Sequence, residues 1–525
     1  MKAKTTLRAA ALALGALLGA TGAAAQDSPP IQAEVVIHAD RPGAVINPNI
    51  YGQFAEHLGA GIYEGVWVGE DSDIPNTDGY RNDVIAALRD LQVPLVRWPG
   101  GCFADDYNWR EGVGPREDRP VRVNAHWGGV PETNEFGLHE FMTFAEMIDA
   151  QVYISGNVGS GTVREMGDWL EYMTSDTQSA LAEERRANGR DEPWTVHYFG
   201  IGNETWGCGG NMRPEYYADL FRQYATYVNL RTPRERRPVI VASGGSDSGT
   251  RWAEVMATMG GNDVQAISHH YYTRPRQQRW EDKGPSTGFG EDEWISTLRN
   301  TMLIDDYITS NLRILDEHDP EGRIGFFVDE WGTWYDPEPG REPGFLYQQN
   351  TLRDGLVAAL NFNIFHEHAA RVRMANIAQM VNVLQAMILT DGPRMTLTPT
   401  YHVFHMYRPF QGATHLPAEV ETPQYAVGDV TAPAVSVSAA RGEDGRIHLA
   451  VVNLDPEREA SVTASVAGTD VRAASGRILT AGAMDAHNTV DAPAVVAPAP
   501  YSARREGDRL SLRLPPKSVL VVALD

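Results

Sequence analysis

The chain has 525 residues, 42% apolar and 22% charged, which excludes a disordered or fibrous protein and leaves room for two domains. Its 45 basic and 69 acidic residues give a formal charge of −24, which repels nucleic acid and anionic membranes but not neutral ligands such as sugars. Two cysteines, Cys102 and Cys208, are too few for a disulfide scaffold or a multi-cysteine metal site.

Residues 1–25 read as a secretory signal peptide. Lys2, Lys4 and Arg8 precede an apolar run over 9–18, and Ala23-Ala24-Ala25 supplies small residues for cleavage before Gln26. The expectation is export to the periplasm or beyond, with Cys102 and Cys208 either paired or free. No later segment has 18 consecutive apolar residues, so a soluble protein is expected. Segment 26–45 contains AEVVIHAD, an alternating strand that resembles the C-terminal strands and is expected to join them.

From 46 to 395 short apolar runs alternate with helical patterns. The runs are NIYGQFAEH, PLVRWPGG, QVYISGNVG, TVHYFGIGNE, PVIVASGG, VQAISHHYY, RIGFFVDEW and VRMANIAQMVN. The last has a periodicity equally compatible with a helix. Between them, Val84, Ile85, Leu88 and Leu91 fit one helix face. Tyr217, Leu220, Phe221, Tyr224 and Val228 fit a second, opened by Pro214; Leu352, Leu356, Leu360 and Ile364 fit a third. Eight uninterrupted alternations without a dinucleotide-type glycine fingerprint predict an α/β fold, a closed (β/α)8 TIM barrel. Over 396–525 the pattern becomes all-β (AVSVSAA, RIHLAVVNL, ASVTASVAG, RILTA, SVLVVAL), as in a β-sandwich, with 490–500 a surface loop.

Parallel barrels place their chemistry at the C-terminal ends of the strands. Those ends carry Glu56-His57, Trp98 to Cys102, Asn157, Asn203-Glu204, His269 to Tyr272, Glu330-Trp331 and Gln379. Glu204 and Glu330 are therefore carboxylates facing each other across a pocket, as glycosidic bond cleavage requires: one a protonated acid, the other a nucleophile or base. Alone, either would read as a solvated strand end or salt-bridge partner. Asn203, Asn157 and Gln379 match sugar hydroxyls, and Trp98, Trp206, Trp331 and Trp334 offer flat faces, though each singly suits a core. His270 shares a strand face with Tyr272 and is a pocket candidate, whereas His57 and His269 read as structural. Asp329, one residue before Glu330, is expected to point outward. His366-Glu367-His368 ends a helix away from the bowl and is not read as a metal site, so none is expected.

The runs "IYGQFAEHLG", "VRWPGGCFADDYNWREGVGP", "NEFGLHEF", "NVGSGTVREMGDWLEY", "GIGNETWGCGG", "ISHHYYT", "DEWGTWY" and "IAQMVN" resemble the family 51 glycoside hydrolases, chiefly α-L-arabinofuranosidases, in order along the whole barrel. The resemblance implies a (β/α)8 barrel with a β-sandwich. It makes Glu204 the general acid/base and Glu330 the nucleophile. Glu56, Asn203, Tyr272, Gln379 and Trp334 become residues that hold the sugar ring, line its pocket or orient the nucleophile, with no cofactor. Many members carry Gly-Gly-Asn where this chain has Gly100-Gly101-Cys102, so Cys102 stands where an amide would meet the sugar. A Cys102–Cys208 bond would brace that wall. Asn often replaces Asp329, a change of little consequence for an outward residue.

The resemblance further implies a retaining, exo-acting enzyme that releases arabinose from arabinan, arabinoxylan or arabino-oligosaccharides. It also implies a possible homo-oligomer, a hexamer in many members. The rival readings are an endoglucanase or xylosidase on the same barrel, a carbohydrate-binding envelope protein, which would not need opposed carboxylates, and a structural sandwich protein with a vestigial barrel.

Overall fold

The computed structural model describes residues 29–246, 249–505 and 510–525; the expected signal peptide lies outside them. Eight strands form a closed barrel: β1 (Gly52–Phe54), β2 (Leu95–Trp98), β3 (Gln151–Gly156), β4 (Tyr198–Ile201), β5 (Val239–Ser246), β6 (Ala266–Thr273), β7 (Gly325–Thr333) and β8 (Val372–Ala378). Every neighbouring pair is parallel, including β8 with β1. β8 is extended despite its ambiguous periodicity, because its alternate residues face the barrel interior and the helix layer.

Leu95, Tyr153, Val241, Ala266, Phe327 and Met374 pack together inside the barrel. Two residues further along their strands the lining turns polar, with Arg97, Ser155, Ser243, Ser268, Asp329 and Asn376 all buried. This apolar plug under a polar layer is the floor on which a site can be built.

Helices Asn82–Leu91 and Pro214–Arg231 bury the faces read from the sequence, with Leu220 only partly covered. Leu352–Glu367 is buried on nearly all sides, because the C-terminal sheets cover the face opposite the barrel. There Asn363 Nδ2 donates to Ser436 Oγ at 3.0 Å, and His366 Nδ1 lies 2.8 Å from Ser438 Oγ.

The C-terminal strands form two sheets. The six-stranded one is antiparallel and centres on Ile447–Asn453 and Ser518–Leu524. The four-stranded one contains Ile31–Ile37, paired parallel to Ala460–Val466 and antiparallel to Ala418–Glu421. The all-β expectation after 396 needs one correction: the region opens with helix Pro399–Tyr407. Thr398 caps it and Pro399 occupies its first turn, a start signal present in the sequence. Residues 499–504, the first two of them within the expected surface loop, form an edge strand of the larger sheet. Among the described residues no helix is long and apolar enough to cross a membrane.

Candidate active site

Arg97, on β2, is the hub of the site. Its Nη1 donates to Glu330 Oε1 at 2.8 Å and its Nη2 to Asn203 Oδ1 at 2.6 Å, while Nε donates to Ser155 Oγ at 3.2 Å. The guanidinium also lies 4.6 Å from the Phe54 ring centroid. It is almost wholly buried, and the carboxylates of Asp329 and Glu330 supply the charge that makes burial tolerable.

Asp329 departs from the expected outward orientation. It points into the barrel, accepting from Tyr153 Oη at 2.8 Å and Ser268 Oγ at 2.6 Å. A bulge in β7 is the cause. Between Ser268↔Phe327 and His270↔Glu330, β7 advances three residues against two on β6; it does the same against β8 between Val328 and Trp331. The extra residue breaks alternation and turns two successive acids inward. Burial works against the charge of Asp329, but Arg97, His270 and Ser268 prevail and hold its pKa down at about 2.

His270 links the two expected catalytic carboxylates. Its Nδ1 is 2.7 Å from Glu204 Oε1 and 3.4 Å from Glu330 Oε2, and its Nε2 is 3.5 Å from Asp329 Oδ1. Burial disfavours the imidazolium, yet Glu330, Asp329 and Glu204 together raise its pKa to about 10. It is therefore a cation at neutral pH and donates through both nitrogens. Oxygens of Glu204 and Glu330 and the His270 nitrogen lie within 4.8 Å of one another. These three groups could present ligands to a metal ion, but the imidazolium already supplies positive charge there. Tyr272 Oη donates to Glu330 Oε2 at 2.8 Å, so both oxygens of Glu330 are held. Glu204 leaves β4 with φ of 39°, the left-handed region, which costs a non-glycine residue about 1–2 kcal/mol.

Glu56 forms the opposite rim. Its Oε1 accepts from Gly101 N at 3.0 Å, Phe103 N at 3.1 Å and Trp127 Nε1 at 2.9 Å, and its Oε2 accepts from Gln379 Nε2 at 3.1 Å. Burial, reinforced by Glu330, raises its pKa to about 7 against those hydrogen bonds. Gly101 is required by space: a Cβ there would stand 2.8 Å from Glu330 Oε1. Asp105 anchors the end of β4 by accepting from Asn203 N at 2.8 Å.

Cys102 and Cys208 form a disulfide joining the loops after β2 and β4. Cys208 Sγ is 3.6 Å from Glu204 Oε2, so the bond lines the pocket where Cys102 replaces an amide. Trp334 packs edge-on to Tyr272, ring centroids 5.0 Å apart, and is partly exposed.

Most of the other candidates are core, loop or structural residues. Trp98 and Trp331 are buried core residues stacked on Phe141 and Phe404, and Trp206 is partly exposed on the loop after β4. Asn157 ties its own loop through Ser160 and Gly161. His57 and His269 are buried and structural, on Glu132 and Tyr307. His366, Glu367 and His368 diverge toward Ser438, His415 and Asp305. Conversely, Arg97, Asp329, Trp127 and Asp105 were not among the sequence-derived site residues. A lone arginine in the apolar run PLVRW was the available signal for Arg97; Trp127, in a loop, had none.

A (β/α)8 barrel with two glutamates converging at its strand ends defines a glycoside hydrolase. Models of the α-L-arabinofuranosidase 1 domain and the α-L-arabinofuranosidase C-terminal domain match residues 87–285 and 329–518. An intracellular exo-α-L-arabinofuranosidase of Bacteroides ovatus is 46% identical, each chain covered fully. The crystal structure of the GH51 arabinofuranosidase from Xanthomonas axonopodis pv. citri superposes with a TM-score of 0.92 at 54% identity, covering 94% of this chain and 100% of that one. The arabinose complex of the Thermotoga maritima α-L-arabinofuranosidase gives 0.83 at 29%, covering 94% and 99%. The chain belongs to the α-L-arabinofuranosidases of glycoside hydrolase family 51. One expectation is overturned: the N-terminal residues were read as an export signal, whereas the Bacteroides ovatus relative, matched from end to end, is named intracellular.

Proposed function

We propose that this protein is a retaining, exo-acting α-L-arabinofuranosidase that releases arabinose from arabinan, arabinoxylan or arabino-oligosaccharides. The observation that carries the mechanism is the approach of Glu204 and Glu330 oxygens to within 4.8 Å. Retaining glycosidases hold their carboxyls about 5–5.5 Å apart, whereas inverting ones leave room for a water.

Glu330, fixed by Arg97 and Tyr272, attacks the anomeric carbon as Glu204 gives its proton to the leaving oxygen. A bond forms between a Glu330 oxygen and the anomeric carbon, and the glycosidic bond breaks. Glu204 then takes a proton from water, which displaces Glu330 and restores the original configuration. The transferable proton is assigned to Glu204, the carboxyl that matches the acid/base of the family, while Arg97 and Tyr272 hold the two oxygens of Glu330. Asn203, Glu56 and Gln379 hold the ring hydroxyls, Asn203 at the 2-hydroxyl, and Trp334 with the Cys102–Cys208 bond closes the pocket around one furanose. The domain limits proposed are 46–395 for the barrel and 26–45 with 396–525 for the sandwich. A homo-oligomer, a hexamer by family likeness, is proposed for solution and is tested by light scattering.

The experiment is hydrolysis of 4-nitrophenyl α-L-arabinofuranoside beside the β-xylopyranoside and β-glucopyranoside, with Glu330→Ala as control and NMR of the first-formed anomer. Cleavage of the arabinofuranoside alone, retained configuration and a dead variant are expected; an inverted product refutes the mechanism. Glu204→Ala should cost about 10²–10⁴ in rate on saccharides and much less on aryl glycosides, whose leaving groups depart unaided. Equal losses on both would refute the assignment of Glu204 as acid.

A further inference from the structure

We infer that Trp280, on the loop after β6, is the platform for the sugar next to the scissile arabinofuranose on the leaving-group side. The inference rests on the arabinofuranosidase reading above and names a binding surface beyond the furanose pocket.

Aromatic rings lead outward from the nucleophile to this residue. Tyr272 is fixed on Glu330, Trp334 packs against Tyr272 at 5.0 Å, and Trp280 packs against Trp334 at 4.9 Å with planes at 65°. Of the twelve tryptophans Trp280 is the most exposed, at 50%. A half-bare indole attached to the wall of a sugar pocket is a surface that water covers poorly and the apolar face of a sugar ring covers well.

The ring is also preset. The guanidinium of Arg274, itself buried, lies over it at 4.6 Å. Lys283 Nζ stands 5.4 Å from the ring centroid and donates to the Trp280 carbonyl at 3.0 Å. Holding an aromatic ring in place before binding reduces the ordering cost of association. Beyond it opens a cavity of about 640 Å³ whose walls include Gln277, Gln278, Ser310 and Asn311. The amides, the Ser310 hydroxyl and the carboxylate of Asp306 beside an indole offer donors and acceptors to a hydroxyl-rich ligand. A methyl glycoside has no ring to place there, so an oligosaccharide and a methyl arabinofuranoside separate this role from a packing role.

The test compares kcat/KM for arabinotriose and for methyl α-L-arabinofuranoside in wild type, Trp280→Ala and Trp280→Phe. Trp280→Ala is expected to lower the ratio of arabinotriose to methyl-glycoside kcat/KM about tenfold, mainly through KM, as loss of one stacking contact predicts. Trp280→Phe is expected to restore most of it. A ratio unchanged in Trp280→Ala, whether both rates fall together or neither moves, overturns the inference and leaves Trp280 as a brace for Trp334. Wild-type protein that does not cleave the aryl arabinofuranoside overturns the reading of the site itself, and this inference with it.

Discussion

Arg97 and Asp329 do for Glu330 what solvent would do at a surface, because a carboxylate inside a barrel needs a fixed cation and fixed donors to remain useful. Removing Asp329 leaves Arg97 under-compensated and strips Tyr153 and Ser268 of their acceptor. Asp329→Ala is accordingly expected to cost about 3–5 kcal/mol in denaturant unfolding. The pH dependence has a definite sign. The pKa of Asp329 is depressed on folding to about 2, from about 3.9 in an unfolded chain. Its contribution is complete above pH 4 and is lost as pH falls from there through 2, so the stability gap between wild type and Asp329→Ala should narrow in that window. At this scale the meeting of Glu204 and Glu330 was legible because each lies toward the C-terminal side of a barrel strand, Glu204 just past β4 and Glu330 within β7. Asp329 was not, since strict alternation holds only in a regular strand and the bulge shifts its phase by one.

Strands and loops carry the next level of organisation. Seven barrel strands could be read from apolar runs, because strands buried on both faces leave continuous hydrophobic stretches, whereas the period of the eighth, Val372–Ala378, suited a helix equally. Loop contacts could not, since no period marks them: the Trp127 bond to Glu56 joins residues 71 positions apart. The Cys102–Cys208 bond, spanning 106 positions, ties the loop that fixes Glu56 to the loop that presents Glu204. Peptide mapping without reductant should recover the two cysteine peptides joined. The paired Cys102→Ser and Cys208→Ser variant should lose about 2–4 kcal/mol in unfolding measurements. It should also raise KM for the aryl arabinofuranoside, because the pocket wall is no longer held.

The whole molecule turns on helix Leu352–Glu367, which lies between the barrel and the C-terminal sheets and is buried against both. Trp294 Nε1 donates to the Leu454 carbonyl at 2.9 Å and adds a second tie. A chain truncated after residue 410 would expose that helix, and it is expected to enter the insoluble fraction on expression. The intact protein should melt in one calorimetric transition, and two resolved transitions would mean that the halves fold independently.

The N-terminal strand Ile31–Ile37 finds its parallel partner only at Ala460–Val466. On a ribosome adding about 5–20 residues per second, the strand must wait roughly 20–90 s before that partner exists. During that interval the barrel segments are already emerging, while IQAEVVI, apolar at alternate positions, presents two unpaired edges. The first of the described strands is among the last to be satisfied. Synthesis therefore has a vulnerable stage that the finished enzyme does not, and slowing translation after the barrel would lengthen it.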